Sequence, residues 1–490
     1  MSEAGSNAPT EAPATPATHP DATLLEGRLH SSVIVLWTLQ MFAPLAALWI
    51  ASSAEQLVAL AGVAIALFAS WVRWTRFRWR IESDQLIIER GLLERTRRVI
   101  PIERIQAVQT VRKIRHRVFG VVGLRIETVG GSETEGQLDA LTPPVATAVQ
   151  RVLLRQVDAA PAPTEAPSGT VLAQCPPRML FIAGLTGGRV GVAAALLAGA
   201  QEFAGERLVN AVVSAPERFG VTVLVLLVLL GMAAAFLLSV VATAVTYWNF
   251  TVTRDGDLIR LQRGLLDERR DTVPLTRVQA LVIEENFVRR PLGLAAVKMI
   301  VAGRAGEDEA LSSTLLPIAS REEAFAIAGI VLGHDGLERV SLLPMPPAAR
   351  LRRVWRAVAV VAVIVAAGLV VLDVPLGLVG LLSAGAAFPA AFGAYRALGW
   401  RRDAEVVLAR DGVFVRRTSV TPVHAPQSLS VTSSPFQRRR GLATLRIELA
   451  RTGRARDPRV IDVGVRDAEQ LQRTLADLVV VRLHDNPAGT

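Results

Sequence analysis

Two periodicities alternate along the chain. Long apolar runs come in pairs, at 31–50 with 57–74, at 179–200 with 219–247, and at 354–372 with 374–398. After each pair the pattern changes to alternating apolar and polar positions, which is the signature of half-buried strands. Gln85-Leu86-Ile87-Ile88-Glu89-Arg90-Gly91 reads as a strand entering a turn, and 257–264 repeats it. Each such stretch closes on a helix candidate, at 144–157, 321–332 and 466–481. The last carries Ala468, Leu471, Leu475 and Leu478 on one face.

The repetition has a fixed metric. Pro101, Pro274 and Pro422 are each followed five residues later by a glutamine, at Gln106, Gln279 and Gln427. Fourteen residues further come Gly120, Gly293 and Gly441, and four beyond each glycine a short strand begins. Gly91 and Gly264 open an Arg-Gly-Leu-Leu turn ten residues before the first two prolines. The third copy lacks that tetrapeptide, and its segment between strand and proline reads as shorter. The glycines serve turns that need positive φ, the prolines fix strand entry, and the glutamines serve hydrogen bonds to backbone or ligand. The spacing implies one module present three times.

A run of about 20 apolar residues spans the ~30 Å hydrocarbon core, so the expected fold class is membrane α+β. It has six transmembrane helices arranged as three hairpins, each followed by an antiparallel β domain with a C-terminal helix. The expected divisions are a tail at 1–28, hairpin one at 29–76, module one at 77–157, a linker at 158–177, hairpin two at 178–247, module two at 248–335, a linker with hairpin three at 336–398, and module three at 399–485. Gln40, Pro44 and Arg189 interrupt the expected spans. Trp71, Trp74, Trp79, Trp248, Trp355 and Trp400 fall near span ends, as an interfacial belt requires. Arginines flank the outer ends of the hairpins, while the loops near Glu55 and Asp373 have none, so the positive-inside rule assigns both termini and all three modules to the cytoplasmic side of a bacterial cytoplasmic membrane.

Composition agrees with a membrane protein: 51% of residues are hydrophobic and the mean hydropathy is +0.37. The net charge is +10, and among the 54 basic residues only Lys113 and Lys298 are lysines. Arginine binds phosphate in bidentate fashion. Three clusters are candidates for headgroup or partner binding: Arg112, Lys113, Arg115 and Arg117; Arg289 and Arg290; and Arg438, Arg439 and Arg440. The alternative for each is a solvated face, and His116 within the first cluster reads as a solvated basic residue. One cysteine, Cys175, and six scattered histidines build neither a disulfide nor a zinc site. No nucleophile elbow or phosphate loop is present, so neither catalytic residues nor a cofactor are expected.

With its entry Trp, Arg-Gly-Leu-Leu turn, Pro-to-Gln segment, distal glycine and closing helix, the repeat resembles the bacterial pleckstrin-homology domain once catalogued as a domain of unknown function. The three-copy layout is similar to that of YdbT-type membrane proteins, from about residue 30 to 485. The resemblance implies a curved antiparallel sheet capped by a helix, and no defined ligand or catalytic residue. Two functions are carried forward. One is a non-enzymatic membrane scaffold whose modules bind proteins or anionic lipids. The other is a component of transport or envelope defence against membrane-active peptides, beside a smaller membrane protein of the same family. Nucleic acid is not an expected partner.

Overall fold

The computed structural model describes residues 23–40, 53–82, 84–91, 95–128, 136–154, 169–187, 226, 229–302, 313–371, 376–450 and 456–485. It divides into two compact units, 1–103 and 104–490.

The first unit carries a four-stranded antiparallel sheet, β1 (Thr23–Gly27), β2 (Arg78–Glu82), β3 (Gln85–Arg90) and β4 (Thr96–Pro101), in that spatial order. Trp79, Ile81, Leu86 and Ile100 are buried on it. Helices Val33–Gln40 and Ser53–Arg76 belong to the same unit; Arg73 stacks over Trp37 at 4.2 Å.

In the second unit the copies do not fold one by one. β5 (Ile105–Arg112), β6 (Val122–Thr128) and β7 (Gly136–Leu141) come from copy one. β8 (Thr170–Gln174), β9 (Thr251–Asp255), β10 (Leu258–Arg263) and β11 (Glu268–Pro274) precede or open copy two. They form one sheet of order β7-β6-β5-β11-β10-β9-β8, joined where β5 meets β11. The next sheet repeats the arrangement. β12 (Val278–Asn286), β13 (Leu294–Val301) and β14 (Thr314–Ser320) of copy two join β15 (Gly399–Arg402), β16 (Val406–Asp411) and β17 (Val415–Pro422) of copy three. Here β12 meets β17. The last sheet is β18 (Pro426–Thr432), β19 (Leu442–Leu449) and β20 (Arg459–Gly464).

Each junction thus pairs the second half of one copy with the first half of the next, in one register. Val108, two residues after Gln106, faces Thr272, two before Pro274. Leu281, two after Gln279, faces Val420, two before Pro422. A single core contains Val252, Ile259 and Val273 from one sheet with Leu281, Ile283, Val297 and Val420 from the other.

Six transmembrane helices in three hairpins do not describe this chain. Among the described residues one helix, at Leu229–Thr246, is long and apolar enough to cross a membrane. Helices Val33–Gln40 and Pro177–Thr186 lie at the starts of two expected spans. Helix Pro347–Val371 gives its first turns to the globular body, because Arg352 pairs with Asp462 at 2.5 Å. Helix Leu376–Arg396 contains Pro389, and Tyr395 near its end donates its hydroxyl to the Met345 carbonyl at 3.0 Å. The parts of the expected spans at 41–52, 188–225 and 372–375, with Pro44 and Arg189, lie outside the described residues. The sheets do not divide as the copies do, since edge strands of neighbouring copies satisfy each other's ladders.

The tryptophan belt also needs revision. Trp79 is 2% exposed and belongs to the core, and the Trp74 indole donates to the Leu29 carbonyl at 2.8 Å. Trp71 and Trp355 are exposed.

Candidate functional site: a basic pocket and three repeated tips

Local turn chemistry sets the tips. After the second-half strand of each copy the chain makes a tight turn closed by a glycine in the left-handed region, with φ of 64° at Gly120, 64° at Gly293 and 62° at Gly441. The glycine N–H donates to the carbonyl three residues back, at Arg117, Arg290 and Arg438, each time at 3.2 Å. An arginine therefore stands at one structural position three times. Exposed apolar side chains surround it: Ile114, Val118 and Phe119; Phe287, Val288 and Leu292; and Phe436.

The tip arginines reach the following copy. Arg117 lies 3.8 Å from Glu268, and Arg290 donates to the Val413 carbonyl at 2.8 Å. Arg438 and Arg439 are exposed, and Arg440 is half-buried. Arg289 is built into the fold. It is 8% exposed and donates to Thr186 Oγ1 at 2.9 Å, the Ala183 carbonyl at 3.2 Å and the Pro317 carbonyl at 3.3 Å. With Asn286, which donates to the Thr186 carbonyl, it satisfies carbonyls at the end of helix Pro177–Thr186. Burial lowers the Lys113 pKa, with Arg115 adding to the effect. Arg112 and Arg115 are half-buried.

His116 is not solvated. It is 4% exposed, because the short helix Ile114–Val118 turns it inward, where Nδ1 accepts from the Lys113 N–H at 3.3 Å. Burial lowers its pKa below the usual value. Cys175 is buried, which pushes its thiol up to about 12.

The turn glycines are a matched set. Gly264 has φ 106°, and a Cβ there would sit 2.0 Å from the Asp267 carbonyl. Gly412 has φ 93° and the same clash, 1.9 Å from the Val415 carbonyl. Gly412 stands ten residues before Pro422, so the third copy keeps the spacing of Gly91 and Gly264 and its segment is not shorter. The side chain of Gln106 lies outside the described residues; Gln279 is half-buried and Gln427 exposed.

Sequence reasoning missed a cavity of about 620 Å³ in copy three. Arg352, Arg353 and Arg356 line it from the foot of helix Pro347–Val371, Arg417 from β17, Arg446 from β19, and Arg456 and Arg459 from beside or on β20. Asp411 is its one acidic lining residue and is engaged by Arg459 at 3.1 Å. Arg417 holds Glu284 at 2.9 Å. Arg352 and Arg353 bracket buried Asp462, which also accepts from Gln437 Nε2 at 2.9 Å. Ser434 and Gln437 form a capping box on the short helix Pro435–Arg438, fixing that wall. Arg356, Arg446 and Arg456 are exposed toward the cavity, near the hydroxyls of Thr432, Ser433 and Thr444. The lining spans positions 352 to 461, so no short motif announces it.

The bacterial PH domain model matches this chain three times, at 34–157, 193–334 and 342–479. The chain belongs to the bacterial PH domain family. Each match covers one long-helix region and the β segment after it, so the family unit is contiguous in sequence while the sheets straddle the units. The UPF0699 transmembrane protein YdbT of Bacillus subtilis (strain 168) is 25% identical over 421 residues, covering 82% of this chain and 85% of that protein. No solved structure matches.

Proposed function

We propose that this bacterial PH protein is a non-enzymatic membrane scaffold, whose copy-three pocket holds the phosphate of an anionic lipid headgroup. The pocket carries the reading. Seven arginines line it. Arg352 and Arg353 hold Asp462, Arg459 holds Asp411 and Arg417 holds Glu284, which leaves exposed Arg356, Arg446 and Arg456, with several hydroxyls, as the donor set for phosphate oxygens. It lies at the arginine-rich foot of helix Pro347–Val371, which also carries Trp355, 60% exposed and suited to a membrane–water interface. The name of the Bacillus relative supports a membrane setting.

The full chain in neutral detergent tests this by thermal unfolding with short-chain phosphatidic acid or short-chain phosphatidylcholine. Phosphatidic acid should raise the midpoint, as a ligand specific to the native state does, and phosphatidylcholine should not. Arg356→Ala, Arg446→Ala and Arg456→Ala should each weaken binding by about 1 kcal/mol, roughly fivefold. Equal shifts with both lipids, or an unchanged affinity in the triple variant, refute the pocket.

A further inference from the structure

The tip of copy two is fastened to the helix that can cross a membrane, which among the described residues is Leu229–Thr246. Helix Pro177–Thr186 runs antiparallel beside it. The Cys175 N–H donates to the Phe250 carbonyl at 2.9 Å, and a Cβ on Gly184 would meet the Val240 Cα at 2.9 Å. Thr186, two residues further on, is therefore level with Leu238. The tip holds that end of the helix. Asn286 donates to the Thr186 carbonyl, and Arg289 to Thr186 Oγ1 and the Ala183 carbonyl. At membrane depth no water satisfies the carbonyls of a helix end, so protein donors must do so. An arginine is tolerated at such a site when backbone oxygens surround it.

With its polar groups turned inward, the tip presents apolar side chains outward. Phe287 is 67% exposed, Leu292 59% and Val288 37%. Helix Leu229–Thr246 is exposed and apolar at the same height, at Phe236, Leu237, Leu238 and Val241. On the other flank Arg290 donates to the Val413 carbonyl, and Val413 Cγ1 lies 3.7 Å from the Cβ position of Gly393 on helix Leu376–Arg396. The neighbouring Phe414 is 71% exposed. Helix Arg321–Leu332 leads the other way. It starts where the Arg321 N–H donates to the Gly293 carbonyl, and near its end the Ile330 carbonyl accepts from Arg254 at 3.2 Å. Ile330 is thus ~14 Å along that helix from the tip. It lies toward the β9–β10 turn at Gly256, the end of those strands remote from Trp248, whose carbonyl accepts from the Gly264 N–H.

We infer that the copy-two tip is a wedge set into the bilayer. Phe287, Val288 and Leu292 enter the lipid beside helix Leu229–Thr246 and dock the β body against the membrane surface. The occupant is lipid because the tip stands at the height where that helix itself turns apolar side chains outward, and exposed apolar patches of this kind mark contact surfaces. The tip of copy one continues the same face. Arg117 reaches Glu268 at 3.8 Å, just after the turn whose Leu265 N–H donates to the Val245 carbonyl of the helix, and Val118 is 75% exposed. Such docking scales with buried apolar area, so it persists on a membrane without anionic lipid. It rests on the membrane setting proposed above and not on the basic pocket.

The test uses the full-length chain in the Cys175→Ala background, reconstituted into vesicles of phosphatidylcholine alone and labelled at one introduced cysteine with a fluorophore. Phe287→Cys and Leu292→Cys are two separate reporters, so poor folding of one leaves the other to decide. Ile330→Cys is the control, an apolar residue 40% exposed at the far end of its helix. Nitroxide carried on the lipid acyl chains should quench both tip probes several-fold more than the control, and aqueous iodide should give the opposite order. Two results overturn the proposal. Iodide quenching of the tip probes equal to that of the control would leave the tip in water. Shielding of the tip probes from both quenchers would make the cover protein. Because these vesicles hold no anionic lipid, a failure of the basic pocket to bind phosphatidic acid does not alter either reading.

Discussion

Replacing Arg263 with methionine should open the junction between copies one and two. Arg263 and Asp271 form an ion pair at 2.9 Å with side chains 1% and 0% exposed. Asp271 also accepts from Gln109 Nε2 at 2.5 Å, and Gln109 stands opposite it across the β5–β11 pair. The carboxylate is thus shared between its own copy and the preceding one. Arg263→Met leaves a buried carboxylate facing a neutral amide, and removing one partner of a buried pair costs about 3–5 kcal/mol. Gln109→Leu removes one hydrogen bond to a charged acceptor, about 1.5–3 kcal/mol, while the arginine stays. Arg263→Met with Asp271→Leu removes both charges and should recover much of the loss. Hydrogen–deuterium exchange of the β5 amides in the detergent-solubilised chain reads these values as local opening. At ~1.4 kcal/mol per tenfold, Arg263→Met should speed exchange in β5 by roughly two to three and a half orders of magnitude, and Gln109→Leu by roughly one to two. Exchange in β5 that is unchanged by Arg263→Met, or no slower in the double variant than in the single one, would refute the coupling.

Two other predictions concern the second junction and the turns. Glu284 lies between Lys298 Nζ at 2.8 Å and Arg417 Nε at 2.9 Å. Burial pushes its carboxyl up, but Lys298 and then Arg417 outweigh burial and hold it below the usual value. Its stabilisation is therefore present above the unfolded glutamate range and is lost as pH falls through the lower folded value. Glu284→Gln should flatten the acid limb of the thermal-stability profile below about pH 4.3, by no more than ~1 kcal/mol given the half-exposed cations; an unchanged acid limb would contradict this. Gly264→Ala should cost about 3 kcal/mol of stability, because the new Cβ meets the Asp267 carbonyl in a backbone region essentially restricted to glycine. Gly293→Ala, which meets nothing within 4 Å, should cost about 1 kcal/mol. Equal losses in a melting comparison would reject the steric argument.

Local signals in the sequence were dependable where they act over a few residues. Helix Arg321–Leu332 runs over the expected span, because Ser320 caps it by accepting from the Glu323 N–H and Gly333 ends it at φ 68°. Ala468, Leu471 and Leu475 are buried as their spacing required. The Gly–Pro turn of copy three was harder to see, because Gly412 keeps the distance to Pro422 but not the flanking Arg and Leu-Leu. Period-two alternation shows which face of a strand is buried and is silent on which strand lies beside it, so nothing in β5 names β11 as its neighbour. Gln109 and Asp271 are 162 positions apart. The arginine runs read as candidate headgroup- or partner-binding clusters, with a solvated face as the alternative; Arg289 instead is buried and donates to the Ala183 carbonyl near the end of helix Pro177–Thr186. The basic pocket is assembled only when helix Pro347–Val371 and strands β17, β19 and β20 converge.

The exchange of halves between consecutive copies is tested most directly by two cysteine pairs built separately into the full chain, again without Cys175. Thr110 of β5 faces Arg270 of β11 across the observed junction. In a copy folded on itself, the equivalent partner of Thr110 would be Arg97 of β4. The account predicts that Thr110→Cys with Arg270→Cys cross-links within one chain while Thr110→Cys with Arg97→Cys does not. The reverse result would contradict it.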